Sequence, residues 1–152
     1  MKKINWKLLL IAFVAVHLIA FVGSRFTDTS GWYDNVKPGI TPPNFVFPIV
    51  WTILFILISI SFYFILISKG QTKKIAIIIF IINLILNGLW SYLFFGLHMP
   101  VLAFVDLILV WISILLMIYA SYKLNKVSSY LLVPYALWVG FAGILNYLIA
   151  FG

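Results

Sequence analysis

The sequence contains no cysteine, only three acidic residues and few charged residues of either sign. Without cysteine, the chain can form no disulfide, no thiolate nucleophile and no cysteine-ligated metal site. Charged residues make up 9% of the 152 residues, whereas a soluble domain carries about 25%. No stretch is polar enough to fold in water by itself, so the composition excludes a soluble enzyme, a disordered chain and a disulfide-stabilised scaffold.

Apolar residues make up 65% of the chain and fall into five long runs. A bilayer span takes about 20 apolar residues, and such runs must be helical because a helix satisfies its own backbone groups in lipid. We therefore predict an all-α membrane protein, a single domain over residues 1–152 with five transmembrane helices and a long structured first loop. The predicted helices cover about residues 6–24, 47–68, 75–95, 101–122 and 130–151. The first run also resembles a signal peptide, but no small-residue cleavage site follows it, and we expect it to remain as the first helix.

Positively charged residues collect on one side of the predicted bundle. They lie at the N-terminus, after the second span and after the fourth span: Lys2, Lys3, Lys7, Lys69, Lys73, Lys74, Lys123 and Lys126. The other side has only Arg25 and Lys37 as cations. Because cytoplasmic loops are enriched in Lys and Arg, we predict a bacterial-type cell membrane, with the N-terminus cytoplasmic and the C-terminus outside. The cations indicate membrane lipids as partners, and we predict no nucleic-acid partner.

The first connection, residues 25–46, is too long and too aromatic to be a simple linker. It contains Trp32, Tyr33 and Phe45 as well as three prolines, at 38, 42 and 43. Proline fixes φ and removes an amide donor, so we predict a stiff, non-helical segment. Its aromatic side chains provide surface to bury, and we expect an ordered cap over one end of the bundle.

The few polar and tryptophan side chains within the spans converge at one depth. At about 1.5 Å of rise per residue, six of them fall in the half of the bundle under the first loop: His17, Trp51, Asn87, Trp90, Asp106 and Asn146. Apolar and aromatic walls with a few polar groups are typical of a ligand pocket. Trp138 lies deeper, with the small residues Gly140 and Ala142 leaving room beside its indole. The alternative is that the asparagines only bond neighbouring helices.

Asp106 is the only acidic residue within a span. Carboxylates inside a membrane are costly and are usually paired or functional. Arg25 ends the first helix on the same side, which predicts a structural Arg25–Asp106 ion pair, with ligand contact or proton relay as alternatives. His17 is isolated and is interpreted as a hydrogen-bonded core histidine. No cluster of His, Asp or Glu is present in the sequence, so we predict no metal site.

Four sequence motifs occur in order along the chain: WYDNVKPGITPPNFVFPIVW (32–51), NGLWSYLFFG (87–96), VDLIL (105–109) and LLVPYALWVGFAGILNY (131–147). Together they resemble the translocator protein and tryptophan-rich sensory protein (TspO/MBR) family, once called peripheral-type benzodiazepine receptors. The resemblance implies a five-helix membrane protein, often a homodimer, with a ligand pocket under the first loop. The family's ligands include protoporphyrin IX and haem, benzodiazepine-site drugs and, in animals, sterols.

The resemblance also implies a set of ligand-binding residues, which are Pro42, Trp51, Asn87, Trp90, Trp138, Ala142 and Asn146. Trp32 and Trp138 resemble the tryptophans linked to porphyrin chemistry in bacterial members, and they are the candidate catalytic residues. The cholesterol motif of animal members ends in Lys or Arg after the tyrosine of the last helix. Here Tyr147 is followed by no cation, so that motif is incomplete.

We therefore expect a membrane binding protein for porphyrin-type ligands, with a sensing, sequestration or transport role. No cofactor is required on this hypothesis, since the porphyrin is itself the ligand or the substrate. One alternative is an enzyme that degrades protoporphyrin IX with light or oxygen. Further alternatives are a lipid or drug transporter, in which Asp106 would change its protonation state, and a structural partner in a larger membrane complex.

Overall fold

The computed structural model describes residues 4–152, and its regular structure over that range is entirely helical. The helices are, in chain order, α1 (Trp6–Ser24), α2 (Trp32–Val36), α3 (Val46–Ile67), α4 (Lys73–Ser91), α5 (Pro100–Tyr122), α6 (Lys126–Leu131) and α7 (Val133–Phe151). A π-helical turn, Tyr92–Gly96, extends α4. Five helical segments are long and apolar enough to cross a membrane, which confirms the predicted fold class. Lys2 and Lys3, which contributed to the predicted orientation, lie outside the described residues.

Local capping explains where several helices begin. The side chain of Asn5 accepts the backbone N–H of Leu8 at the start of α1, and Asn125 accepts that of Ser128 at the start of α6. Such caps satisfy amides that have no partner within the helix. Pro100 opens α5, where the missing N–H of proline has no cost.

The fifth span consists of two helices, whereas the sequence predicts one over residues 130–151. Helix α6 ends at Leu131 and α7 begins at Val133. Pro134 has no N–H to donate to the carbonyl four residues earlier, so a continuous helix would lose a hydrogen bond at this point. The chain instead closes a tighter turn, in which the N–H of Leu132 donates to the carbonyl of Ser129 at 3.1 Å.

The five spans form a ring around a central core. Helix α1 packs on α3 and α4, α5 packs on α4 and α7, and α3 meets α6 and α7 on the remaining side. Apolar side chains such as Ile58 and Met117 are fully buried inside the ring, where Phe62 stacks on Phe80 with 5.1 Å between the ring centroids. The outward surfaces are also apolar, and Leu137 is 71% exposed, as expected for a lipid-facing side chain.

Hydrogen bonds between neighbouring helices stabilise the ring. Ser61 Oγ donates to the carbonyl of Ser128 at 2.9 Å, and Ser128 Oγ donates to the carbonyl of Ser61 at 2.9 Å. Asn83 of α4 donates to Ser113 Oγ of α5 at 2.8 Å. Lipid is as apolar as the side chains, so close packing and such hydrogen bonds, rather than burial from water, hold membrane helices together.

The first connection, residues 25–46, covers one end of the bundle, which we call the cap end. The opposite end, which carries Lys69, Lys74 and Lys126, is called the lysine end. The prediction that the cap is non-helical is wrong in part, because α2 forms one turn ahead of the prolines. Gly31 precedes α2 with φ at 57°, a left-handed conformation that glycine adopts without steric cost. Tyr33 of α2 is buried, with its ring 5.5 Å from that of Phe95, and it anchors the cap to the bundle.

Candidate functional site

A cavity of about 370 Å³ lies beneath the cap, between α1, α3, α4 and α7. Its volume falls at the lower end of the range of about 300–1,000 Å³ that is typical of small-molecule sites. The cap closes it from above through Thr29, Tyr33 and Asn44. Every span except α5 contributes to the walls, so the cavity exists only when the ring is assembled.

Two stacked aromatic pairs, carried by different helical segments, form part of the cavity wall. On α3, Trp51 stacks on Phe55 with centroids 5.2 Å apart and planes 29° apart. On α4, Trp90 stacks on Phe94 at 5.1 Å and 18°. Each pair is four residues apart on one helix, so the two rings lie on the same face. The flat faces and polarised edges of these rings suit an aromatic ligand.

Polar groups in the cavity are held in place by hydrogen bonds from behind. Trp90 Nε1 donates to Asn146 Oδ1 at 3.0 Å, and Asn146 Nδ2 donates to the carbonyl of Pro100 at 2.8 Å. Asn87 Nδ2 donates to the hydroxyl of Tyr135 at 2.9 Å, and that hydroxyl donates to Asn83 Oδ1 at 3.2 Å. No donor within residues 4–152 bonds Asn87 Oδ1, so this oxygen remains available to a ligand. The amides are thus oriented before any ligand arrives.

Helices α1 and α4 approach each other closely at the cavity. A Cβ atom on Gly23 would lie 3.3 Å from Ser91 Oγ, which is tighter than an ordinary contact. Gly23 and Ser91 both line the cavity. The absence of a side chain at Gly23 therefore sets the width of the cavity on this side.

The cap is tied together by a small polar network. Lys37 Nζ lies 2.6 Å from Asp34 Oδ1, and Asn44 Nδ2 donates to the same carboxylate at 3.3 Å and to the carbonyl of Thr29 at 3.0 Å. The hydrogen bond from Lys37, and then that from Asn44, hold the pKa of Asp34 below its usual value. Burial raises the pKa of the Tyr33 phenol, so Tyr33 stays neutral at physiological pH. The network connects α2 to the segment that leads into α3.

The structure brings together five of the seven residues predicted to bind ligand: Trp51, Asn87, Trp90, Ala142 and Asn146 line the cavity. Pro42 belongs to the cap but does not line it. Trp138 is also absent from the wall, which corrects its expected position. It lies one turn deeper than Ala142 on α7, and Phe47, which does line the cavity, packs edge-on against it at 5.9 Å. Its buried indole N–H has no hydrogen-bond partner within residues 4–152.

Trp32, the other candidate catalytic residue, lies on the outside of the cap. Its ring stacks on His98 with centroids 4.5 Å apart, and its edge meets Phe94 at 5.4 Å. His98 belongs to the connection between α4 and α5 and has φ at 52°. Trp32 therefore joins the cap to this connection and packs behind Tyr33 and Phe94, which line the cavity, without lining it itself.

The predicted ion pair between Arg25 and Asp106 is not formed. Within residues 4–152 the structure contains one ion pair, Lys37–Asp34. Arg25 is exposed at the end of α1, whereas Asp106 is buried on α5, and α4 lies between these two helices in the ring. Asp106 Oδ2 is buried without a hydrogen-bond partner among the described residues. The prediction matched the depths of the two residues but not their positions around the ring.

His17 also differs from its expected environment. It is exposed on the surface of α1 rather than in the core, with its ring stacked on Phe13 at 5.4 Å. Its Nδ1 lies 3.0 Å from the carbonyl oxygen of Phe13, a contact within its own helix. The polar partner is thus local, and His17 does not line the cavity; its ring lies 6.4 Å from that of Phe55, which does.

Sequence reasoning missed several aromatic wall residues, which are Tyr33, Phe47, Phe55, Phe94 and Phe95. A helical spacing criterion could have found Phe47 and Phe55, since they flank Trp51 by four residues on either side. Phe94 follows Trp90 by the same interval. Phe95 joins the wall because the π-helical turn inserts an extra residue and shifts the register.

A family model described as the TspO/MBR family matches residues 11–151. The chain belongs to the TspO/MBR family. Family membership and the five apolar helices together establish an integral membrane protein.

Individual TspO/MBR relatives match over most of their length. The chain is 41% identical to the tryptophan-rich protein TspO of Chlorobaculum tepidum, covering 86% of each sequence. It is 41% identical to the tryptophan-rich protein TspO of Archaeoglobus fulgidus, over 93% of this chain and 94% of that one. It is 33% identical to the human translocator protein, over 88% of this chain and 83% of that one. The family resemblance inferred from the four motifs is thereby confirmed.

Proposed function

We propose that this TspO/MBR protein binds flat porphyrin-type ligands, such as protoporphyrin IX or haem, in the cap-end cavity. The observation that carries the proposal is the pair of stacked aromatic walls, Trp51–Phe55 and Trp90–Phe94. A planar macrocycle offers a large π-face to such walls. Benzodiazepine-site drugs, which are also aromatic, would use the same surfaces. The cellular role would be sensing, sequestration or transport of the bound molecule.

The polar groups of the cavity suit the edge of such a ligand. The oxygen of Asn87 has no donor among residues 4–152 and can accept from a ligand, and the Trp90–Asn146 pair is already fixed. Propionates need a cation, and Arg25 is exposed at the cap end of α1. Lys37 is less suited because Asp34 already neutralises it. We propose that the carboxylates of the ligand lie towards Arg25 and that its ring lies between the aromatic walls.

The charge distribution of the bundle indicates how the protein would be oriented in the membrane. The lysine-rich end would face the cytoplasm of a bacterial-type cell, which places the cavity in the outer half of the membrane. The exposed apolar faces of the spans would contact lipid, and a second copy of the chain would form a homodimer through one of them. The proposal requires no separate cofactor.

A titration in the dark tests binding. Protoporphyrin IX would be added to the detergent-purified chain while tryptophan fluorescence is followed. We expect saturable quenching, weakened about tenfold in Trp90→Ala, because one stacking wall and the bond to Asn146 are lost. Trp6→Phe is the matched control, since Trp6 is 70% exposed at the lysine end. Non-saturable quenching, equal in all three proteins, would mean that the porphyrin only partitions into detergent, and the proposal would be wrong.

A second candidate function is light- or oxygen-dependent degradation of bound protoporphyrin IX. The observation that favours it is Trp138, whose indole N–H has no partner among residues 4–152 and whose ring packs against the wall residue Phe47. On this hypothesis the excited porphyrin is oxidised and oxygen is reduced, and the indole of Trp138 relays the electron from the porphyrin to oxygen and ends in its original oxidation state. Trp32 does not line the cavity and would take part through the wall residues that it packs against, Tyr33 and Phe94.

Illumination of the bound complex separates the enzyme from the binder. We expect an enzyme to change the absorption spectrum of the porphyrin, and Trp138→Phe to bind with wild-type affinity but convert more slowly. Trp111→Phe is a suitable control because its indole is satisfied by the carbonyl of Ala136 at 3.0 Å. If the porphyrin is converted at the same rate in both variants and in protein-free detergent, the protein does not catalyse the conversion and only binds the porphyrin.

Transport of lipids or drugs remains an alternative with its own support. Proton-coupled transport needs a carboxyl group that can change its charge, and Asp106 has no ion-pair partner within residues 4–152. Efflux from proteoliposomes that is lost in Asp106→Asn, with porphyrin binding intact, would favour this reading. Efflux unaffected by the substitution would exclude Asp106 as the coupling residue.

A further inference from the structure

A second cavity, of about 740 Å³, opens at the lysine end of the bundle. It lies between the start of α1, the end of α3 and the connection from α5 to α6. Its walls are mostly apolar, formed by Ile4, Leu9, Ile60 and Phe64 among others. It shares no lining residue with the cap-end cavity, and the stacked pair Phe62–Phe80 belongs to the core that lies between them.

The polar edge of this lysine-end cavity contains hydrogen-bond donors that have no acceptor among residues 4–152. Lys69 lines it and forms no ion pair within residues 4–152. The hydroxyl of Tyr63 accepts the backbone N–H of Asn5 at 3.1 Å, and its own proton has no acceptor among those residues. Asn125 uses its oxygen to cap α6, and its amide protons have no acceptor in the described part of the chain.

The charges around the lysine-end cavity all have one sign. Each of the three acidic residues lies elsewhere: Asp28 and Asp34 in the cap, and Asp106 in the cap half of α5. Lys73 is not available, because its Nζ donates to the carbonyl of Leu66 at 2.6 Å. A ligand here meets an apolar groove with a localised set of donors at Lys69, Tyr63 and Asn125. That chemistry suits an anion attached to a hydrocarbon chain.

We propose that the lysine-end cavity is a specific site for one anionic phospholipid of the phosphatidylglycerol type. One acyl chain would lie along Ile60 and Phe64, and the phosphate would accept hydrogen bonds from Lys69, Tyr63 and Asn125. A flat macrocycle is a poor fit because the groove has no indole wall. The site is independent of the ligand proposed for the cap-end cavity.

A localised site behaves differently from the general attraction of basic surfaces to anionic lipid. General attraction grows with the number of nearby cations and does not saturate at one lipid. A built site saturates at one lipid per chain and depends on Lys69 more than on other lysines. Lys74 provides the comparison, since it is exposed at the same end but does not line the cavity.

Native mass spectrometry of the full chain in detergent tests the proposal. Dioleoyl phosphatidylglycerol, dioleoyl phosphatidylcholine and oleate would be titrated in separate series. We expect one phosphatidylglycerol to bind saturably, about fivefold more weakly in Lys69→Gln and unchanged in Lys74→Gln. Ile60→Trp, which fills the apolar groove, should prevent saturable binding. Unchanged porphyrin titration and helical circular dichroism in each variant show that the fold survives.

Three results would overturn the proposal. Equal weakening by Lys69→Gln and Lys74→Gln would reduce the effect to general surface attraction. Equal affinities for phosphatidylcholine and phosphatidylglycerol would show that the site does not prefer anionic lipids. Displacement of phosphatidylglycerol by oleate at equal concentration would identify a fatty-acid site instead of a phospholipid site.

Discussion

The hydroxyl of Tyr135 is the residue-scale feature on which the cavity floor depends. It accepts from Asn87 and donates to Asn83, and the side chain is 1% exposed. A buried polar group that loses its partner costs far more than an exposed one, because no water replaces the lost hydrogen bond. The orientation of the Asn87 amide in the cavity therefore depends on a residue that does not line it.

Replacement of Tyr135 by phenylalanine tests this dependence. We expect Tyr135→Phe to lower the free energy of unfolding by roughly 1–2 kcal/mol, because two buried amides lose a partner. It should also weaken ligand binding, since Asn87 becomes free to rotate. Thermal unfolding in detergent and the porphyrin titration measure the two effects. Tyr147→Phe, at a half-exposed residue on the same helix, serves as the control, and equal destabilisation by both would contradict the prediction.

Asp106 is the second residue whose surroundings decide its behaviour. An ionised carboxylate without a partner is costly in a membrane, and the structure supplies no counter-ion from residues 4–152. We expect Asp106→Asn, a neutral side chain of the same shape, to unfold at the same or a higher temperature than the wild type at neutral pH. Arg25→Gln should stay within about 0.5 kcal/mol of the wild type. If each substitution lowered the unfolding temperature by the same amount, and the double variant by no more than either alone, Arg25 and Asp106 would form an ion pair after all and the prediction would be wrong.

At the scale of elements, the cap is held by α2 and the Asp34–Lys37–Asn44 network. The pKa of Asp34 is lowered below its ordinary value of 3.8. Above that pH the carboxylate is charged, and its hydrogen bonds stabilise the closed cap in full. As pH falls through the lower pKa of the folded state, Asp34 becomes neutral and that contribution is lost. Opening of the cap should therefore become easier in acid.

Ligand dissociation measures how firmly the cap closes. We expect the wild-type protein to release its cavity ligand faster as pH falls below about 4, and Asp34→Asn to release it about two- to fivefold faster already at pH 7. Asp28→Asn is the matched control, because Asp28 bonds Ser30 and takes no part in the network. Stopped-flow fluorescence would follow the release. Identical rates in Asp34→Asn and Asp28→Asn would show that the network does not hold the cap.

The length of the apolar runs predicts the membrane spans but not every helix boundary. The sequence predicts the spans because a bilayer demands a minimum apolar length. It does not predict α2, because prolines disfavour helix, yet the three prolines of the cap all follow Val36 and leave the preceding turn free to form. It also misses the break between α6 and α7, where Pro134 acts through one missing hydrogen bond.

On the scale of the whole molecule, the arrangement of charge predicts how the protein sits in the membrane. The chain has no cysteine, so single cysteines can be placed without background. We expect Gly39→Cys, in the exposed cap, to react with an impermeant maleimide added to intact bacterial cells, and Gln71→Cys, at the lysine end, to react only after permeabilisation. The opposite pattern would reverse the orientation, and labelling of both in intact cells would indicate two orientations.

The amino-acid pattern is enough to predict the five spans, the family and a shared depth for Trp51, Asn87, Trp90 and Asn146. These follow from apolar length, motif order and helical rise, which are properties of the chain read in one dimension. The same pattern cannot predict that Phe47, and not Trp138, lines the cavity, or that Arg25 forms no ion pair with Asp106. Both depend on how each helix is rotated and on which neighbour lies beside it. In spans that are apolar on every side, the pattern carries little information about rotation, so packing between helices determines the outcome.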